Sequence, residues 1–447
     1  MSALPASAIA EIDALLASTD RLLATNYPGD DGSRQPVHTV YVPADRYTPE
    51  LPAEWGERAL AAVAGRGTDA RGGLGVLSAL LGQDAACAAA VVPRVLAKLQ
   101  SEPIEDLRLD FEDGYGDRGD ETEDADVVAA ASAVAAAVSA GVAPPFIGIR
   151  FKCFEAATRA RGLRTLDLFV SGLASAGELP AGLVLTLPKV TTVAQVQAME
   201  LAVTVLEQVH GLPAGRLRFE VQVETPQLIL GADGTSPVAR LPHVVPGRIS
   251  ALHYGTYDYS ASLEISAQYQ SMEHPVADFA KEVMQLAVAG TGIRLSDGST
   301  NIMPVGAGVE DAWRLHGRLV RRSLERGYYQ GWDLHPAQLP SRFSATYAFY
   351  RDGYPVAAMR LRHYLSSRYS SGRPVGRADG AVNGAPDGAV MDEPATARAL
   401  AGFVCRGLDC GAISTEEVER DVAVPVGRLQ ELAHPGSRAH PRAASAD

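Results

Sequence analysis

Two acidic residues stand where apolar, β-branched-rich runs stop. Residues 217–223 (LRFEVQV) end at Glu224, ahead of Thr225-Pro226, and residues 249–254 (ISALHY) end at Gly255-Thr256, with Asp258 just beyond. If the two runs are neighbouring parallel strands, both carboxylates fall at the carboxyl edge of the sheet, where α/β sheets and barrels bind ligands. Two hard oxygen ligands with no cysteine or histidine adjacent suit Mg²⁺, or Mn²⁺, that keeps most of its coordination sphere for water and substrate. Each acid taken singly has a plainer use as a helix N-cap or a surface carboxylate. The pair therefore needs support from the elements that would position it.

Those elements can be read from hydrophobic periodicity. Strands are expected at 38–42, 107–111, 146–151, 182–187, 217–223, 249–254, 301–305 and 329–334, which makes eight. Helical periodicity falls between them at 124–141, 163–176, 193–210, briefly near 226–238, then at 273–289, 310–326 and 337–350. Such alternation predicts a (β/α)8 TIM barrel, an α/β fold whose strands read as near-continuous apolar runs because both faces are covered. A doubly wound sheet would need a Gly-rich phosphate loop after its first strand, and none is present. Polar residues fall where a barrel's catalytic face would put them: Asp110, Glu112 and Asp113 after strand two, Arg150 and Lys152 after strand three, Lys189 after strand four, Glu224 and Asp258 after strands five and six, and His335 after strand eight.

Around that barrel the domain expectation is an N-terminal helical segment at 1–35, the barrel at 36–352, and a C-terminal lid and helical extension with a disordered tail at 353–447. Within the extension, 354–368 reads as helical, 370–387 as a Gly/Ala/Pro-rich hinge, and 388–404 as a turn and helix with Asp392 near its start; Ser414 or Thr415 would cap a later helix. The formal charge of −13 argues against a nucleic-acid partner. The first residues lack a basic n-region, and the most apolar run, 127–143, is alanine- and serine-rich after an acidic stretch, so neither a signal peptide nor a membrane span is expected. Cys87, Cys153, Cys405 and Cys410 form no zinc pattern, and a reduced cytoplasm is the default.

The motifs, taken in order, resemble the citrate lyase β-subunit-like proteins of the HpcH/HpaI aldolase superfamily, relatives of malyl-CoA lyase and malate synthase. VYVPADR, LDFEDGYG, IRFK, VLTLPKV, VQVETPQLI, LHYGTYDYSASL, WDLHPAQL and GAVMDEPATARA carry the likeness, from residue 38 to about 404. Phe111 and Gly114 depart from the family's acidic motif after strand two, Phe151-Lys152 departs after the arginine, and the chain beyond about 405 has no counterpart.

The resemblance implies Glu224 and Asp258 as Mg²⁺ ligands and Arg150 as the cation for a substrate carboxylate or developing enolate. It also implies Asp392 as an acid/base carboxylate brought over a neighbouring subunit's site, in a homo-oligomer, trimeric or hexameric. An N-cap is the plainer reading of Asp392, and an ion pair with Glu112 or Asp113 that of Arg150. Glu112 and Asp113 would orient Arg150 or metal-bound water, or form a simple salt bridge, and Lys189 and His335 would support the site by hydrogen bonds. His253 reads as a satisfied core histidine. The expected function is a Mg²⁺-dependent carbon–carbon lyase or aldolase acting on a β-hydroxy acid or its CoA thioester, so the expected ligand is a small carboxylic acid or acyl-CoA. The alternatives are a class II pyruvate-type aldolase on free 2-keto acids and a non-catalytic, acid-binding barrel subunit.

Overall fold

Eight parallel strands pair in sequence order in the computed structural model, which describes residues 3–370 and 393–435. They are β1 (His38–Pro43), β2 (Asp106–Asp110), β3 (Phe146–Arg150), β4 (Leu183–Leu187), β5 (Phe219–Val223), β6 (Ile249–Tyr254), β7 (Arg294–Ser296) and β8 (Gly331–Asp333). β8 pairs with β1, and a Ser296–Gln330 bridge joins β7 to β8, so the barrel closes. The expected TIM barrel is what the chain forms.

Strand seven is a correction. Residues 301–305 (NIMPV) are irregular, and the strand is the shorter Arg294–Ser296. Pro304 has no N–H to give to a ladder, and Ile302 and Val305 are each 51% exposed, which no strand inside a closed sheet would allow. The segment instead leaves β7 through Asp297-Gly298 and runs past the head of the helix Thr256–Ser262, where the Asn301 N–H donates to Tyr257 Oη at 2.5 Å.

The register sorts the strands into two faces. Outward residues such as Leu107, Leu109, Ile147, Ile149, Leu185, Val221 and Val223 pack under the helices in one apolar core. The inward face is polar, contrary to the apolar strands expected. Arg108 stands level with Gly148, Arg150 with Thr186, Thr186 with Glu220, and Gln222 with His253. A Cβ at Gly148 would lie 1.6 Å from the Val184 carbonyl oxygen, so the strands approach there as only glycine permits.

Arg108 is the centre of this interior. Arg108 donates to Glu220 at 2.8 and 3.1 Å and to Thr186 Oγ1 at 3.0 Å, and it also pairs with Asp106. Trp332 donates its Nε1–H to His253 Nδ1 at 3.2 Å, which places the imidazole proton on Nε2, 3.0 Å from Glu220 Oε2. Burial alone would raise the Glu220 pKa, but Arg108 and His253 outweigh it and hold the carboxyl well below the usual range. His253 is thus interior, as expected from its strand, with Nδ1 bonded to Trp332 and Nε2 within ion-pair distance of Glu220 but without a hydrogen bond of its own.

Two helices expected at 337–350 and 354–368 are one, Leu339–Ser370, with Pro355 inside it. Tyr347, Tyr350, Tyr354, Ala357, Ala358 and Leu361 are all buried along it, and that packing carries the helix through the proline. The helices Pro394–Asp409, Thr415–Val422 and Val426–Ala433 pack on this flank, with Tyr347 donating to the Cys410 carbonyl at 2.8 Å and Arg351 paired with Glu417 at 2.7 Å. Ser414 caps its helix as expected, accepting from the Glu417 N–H at 3.2 Å while Glu417 accepts from the Ser414 N–H at 2.9 Å. The expected hinge from 371 onward, Asp392 and the tail from 436 lie outside the described residues. Cys87, Cys153 and Cys410 are free thiols. Among the described residues no helix is long and apolar enough to cross a membrane.

Candidate active site

The carboxyl ends of β2 to β6 bring Arg150, Glu112, Asp113, Lys189, Glu224 and Asp258 to one mouth. Each is positioned by the turn that follows its strand. After β2, Asp110 accepts from the Glu112 N–H at 3.0 Å and from the Gly114 N–H at 2.8 Å, which folds the turn back over the strand end. A Cβ at Gly114 would lie 2.6 Å from Asp110 Oδ2, so glycine is what lets this turn close.

Arg150 closes the same corner. Its Nε and Nη2 donate to the two Asp110 oxygens, each at 2.7 Å, and its Nη1 lies 3.3 Å from Glu112 Oε2. The guanidinium also stacks over Tyr41 at 4.8 Å from the ring centroid. Glu112 was an expected partner, whereas the bidentate partner is Asp110, directly opposite in the β2–β3 register. The signal was the alternation D-L-R-L-D at 106–110, which puts Asp106, Arg108 and Asp110 on one face.

Lys189 sits beyond β4 with φ of 50°, a left-handed conformation uncommon for a side-chain-bearing residue. The geometry turns its backbone N–H onto Glu224 Oε2 at 2.9 Å, while its Nζ reaches Glu112 at 2.5 Å, Asp113 at 2.7 Å and Asp258 at 3.7 Å. Burial would lower the Lys189 pKa, but the Glu224 and Glu112 carboxylates more than compensate and raise it, so the ammonium stays charged. Lys189 is therefore the charge at the centre of the cluster, a larger part than the supporting hydrogen bonds expected of it.

Glu224 is 1% exposed and caps no helix, since the turn Pro226–Ile229 starts from Thr225. Burial pushes its carboxyl up to about 8, against the pull of Lys189 and Arg150, with Asp258 and Glu112 adding to the rise. Gly255 makes its place: a Cβ there would lie 2.3 Å from Glu224 Cγ and 2.7 Å from Oε1. Asp258 stands in the first turn of Thr256–Ser262 with its side chain 42% exposed, so the mouth pairs one dry carboxylate with one wet one. His335 is not part of this cluster; its Nδ1 accepts from the Ala337 N–H at 3.1 Å and is used up in its own turn.

This donor set fits a divalent cation. A buried carboxylate whose charged form is disfavoured by its surroundings gains from a cation, and a second carboxylate stands beside it. Among the described residues no group of three or more Asp, Glu, His or Cys side chains forms a closed metal cage, so Mg²⁺ held here would draw its other ligands from water and substrate.

Fold and mouth together define an α/β barrel with an acidic and cationic cluster at the carboxyl ends of its strands. Within that class the chain belongs to the family described as "Domain of unknown function (DUF6986)", whose model matches residues 16–436. No curated protein matches it. A citrate lyase from Burkholderia xenovorans LB400 has a similar fold, at 17% identity over 86% of this chain and 95% of that one, with a TM-score of 0.56. Two others match with lower scores. The citrate lyase β subunit from M. tuberculosis, complexed with oxaloacetate and magnesium, is 18% identical over 71% of this chain and 98% of that one, TM-score 0.39. A malate synthase magnesium/glyoxylate complex from Haloferax volcanii is 14% identical over 90% of this chain and 98% of that one, TM-score 0.45. The likeness read from the motifs is thus matched in the fold.

Proposed function

We propose that this mouth is the active site of a Mg²⁺-dependent carbon–carbon lyase or aldolase that cleaves, or forms, a β-hydroxy acid or its CoA thioester. The observation that carries the reading is the convergence of Glu224, at the backbone N–H of Lys189, and Asp258, at its Nζ, with Arg150 paired to Glu112 in the adjacent corner. Mg²⁺ held by Glu224 and Asp258 would polarise a substrate carbonyl and stabilise the enolate that develops as the carbon–carbon bond changes.

The chain's own groups divide the remaining work. Arg150, locked by Asp110 through Nε and Nη2, would offer Nη1 to a substrate carboxylate in exchange for its longer contact with Glu112, and the lock fixes its direction before substrate arrives. Lys189 balances the carboxylates while the site is empty of substrate and ties the β2 turn to Glu224. The burial of Glu224 keeps water from competing for its oxygens. Asp392 is the proposed acid/base group, reaching the mouth of a neighbouring copy in a homo-oligomer.

Proton–deuterium exchange at the methyl groups of acetyl-CoA and of pyruvate, in D₂O with Mg²⁺, tests this. Exchange on acetyl-CoA that disappears in Glu224→Gln supports the thioester lyase; exchange on pyruvate alone moves the assignment to free 2-keto acids. No exchange on either, together with no Mn²⁺ binding, refutes the metal mechanism.

A further inference from the structure

The opposite end of the barrel holds a cavity of about 230 Å³. Its walls come from the starts of the strands: Phe146 and Leu183 open β3 and β4, Arg218 precedes β5, Arg294 opens β7 and Gln330 precedes β8. Its roof is the segment leading into β1, through Asp31, Ser33 and Arg34, and its floor is the Arg108–Glu220–His253 network. The chain is acidic overall, at −13, yet arginines crowd this one place.

Their charges are unequally met. Arg108 is matched by Asp106 and Glu220, and Arg34 by Glu102 and Glu105 at 3.0 Å or less. Arg216 and Arg218 have no carboxylate within ion-pair distance among the described residues. Arg216 donates to the Leu179 and Pro180 carbonyls, at 3.1 and 2.5 Å, and Arg218 to the Ile249 carbonyl at 3.2 Å. Arg294 bonds the Ser33 and Arg34 carbonyls and Ser33 Oγ, with Asp31 Oδ1 3.7 Å away. Arg218 and Arg294 thus have the largely exposed carboxylate of Asp31 as a shared neighbour, with Asp30 also acting on Arg294, while the lining carboxylates Asp106 and Glu220 are taken by Arg108. Burial pushes the Arg294 pKa down despite the nearby Asp30 and Asp31, and the neighbouring Arg218 guanidinium adds to the fall.

We propose that this cavity is a second ligand site, separate from the mouth, for a small multiply charged oxyanion, held by Arg216, Arg218 and Arg294. A planar guanidinium fork matches the oxygens of a carboxylate or a phosphate equally, so the shared chemistry is that of a dicarboxylate or a phosphate group. The cavity volume has room for a small dicarboxylate or a phosphate group. Because Arg294 already grips the backbone of residues 33 and 34, an anion bridging it to Arg218 would fasten the N-terminal segment across the barrel floor.

The test is calorimetric titration of the full chain, at low ionic strength, with inorganic phosphate and separately with succinate. One probe is expected to bind saturably at one site per chain, and the better probe identifies the charged group. Arg218→Gln and Arg216→Gln should each weaken that binding at least about tenfold. Both replace side chains that bond only backbone carbonyls at the surface of the floor, so the barrel survives them. Glu224→Gln, at the other end, should leave it unchanged. Saturation by neither probe, binding as tight as wild type in the two arginine variants, or loss only in Glu224→Gln overturns the proposal.

Discussion

The Glu224 carboxyl makes a quantitative prediction about stability in metal-free solution. Its ordinary value is 4.5, and burial raises it to about 8 in the folded chain. The folded state therefore holds this proton over a pH range in which the unfolded state has lost it, so the contribution is full below 4.5 and is lost as pH rises through about 8. Converted at about 1.36 kcal/mol per tenfold change in proton affinity, the rise from 4.5 to about 8 amounts to about 5 kcal/mol of stability lost across that window. Glu224→Gln removes the titration and keeps an acceptor for the Lys189 N–H. Urea unfolding in EDTA at intervals from pH 4.5 to about 9 should show wild type falling relative to the Gln variant by that order. Added Mg²⁺ should return most of the lost stability to wild type at the alkaline end and little to the variant. Parallel wild-type and variant curves across the whole range would show that Glu224 is not the strained, water-stripped acid that the mouth is built around.

Two further substitutions probe the geometry. Gly255→Ala puts a methyl 2.3 Å from Glu224 Cγ, so overpacking should cost about 1–3 kcal/mol and Mn²⁺ binding, followed by electron paramagnetic resonance, should weaken sharply; unchanged binding would mean that Glu224 is free to move aside. Arg108→Met strands Glu220 and Asp106 in the barrel interior without their cation. Unfolding should show a loss of about 3–5 kcal/mol at neutral pH and a smaller loss in acid, where the stranded carboxyls can protonate.

Much of this was legible because a barrel writes itself in periods. Seven of the eight strands lie where apolar runs were expected, and β7 alone was displaced. Its three residues are too few to show alternation, and Ile302 and Val305 around Pro304 imitate a strand that the missing N–H forbids. Six of the seven described site candidates converge, His335 being the exception, because strand-end position is a topological property, readable once strands are counted. What could not be read is pairing across strands. Asp110 meets Arg150, and Glu220 meets Arg108, through register and shear that no single segment encodes.

The polar interior has a consequence for the mouth above it. Most barrels fill this space with branched aliphatic side chains, whereas here Arg108, Glu220 and His253 form a bonded floor, with Gln222 donating to Tyr41 at 3.0 Å one layer higher. Tyr41 in turn lies under the Arg150 guanidinium. The orientation of Arg150 thus rests on two supports, Asp110 beside it and Tyr41 below, and the second is continuous with the network that also lines the lower cavity. A charge change at either end of the barrel meets the same buried layer, and because Arg108 holds Glu220, Asp106 and Thr186 together, that layer resists shifting. Such stiffness suits the proposed site, whose carboxylates and arginine would have to hold their separation while substrate bonds are made and broken.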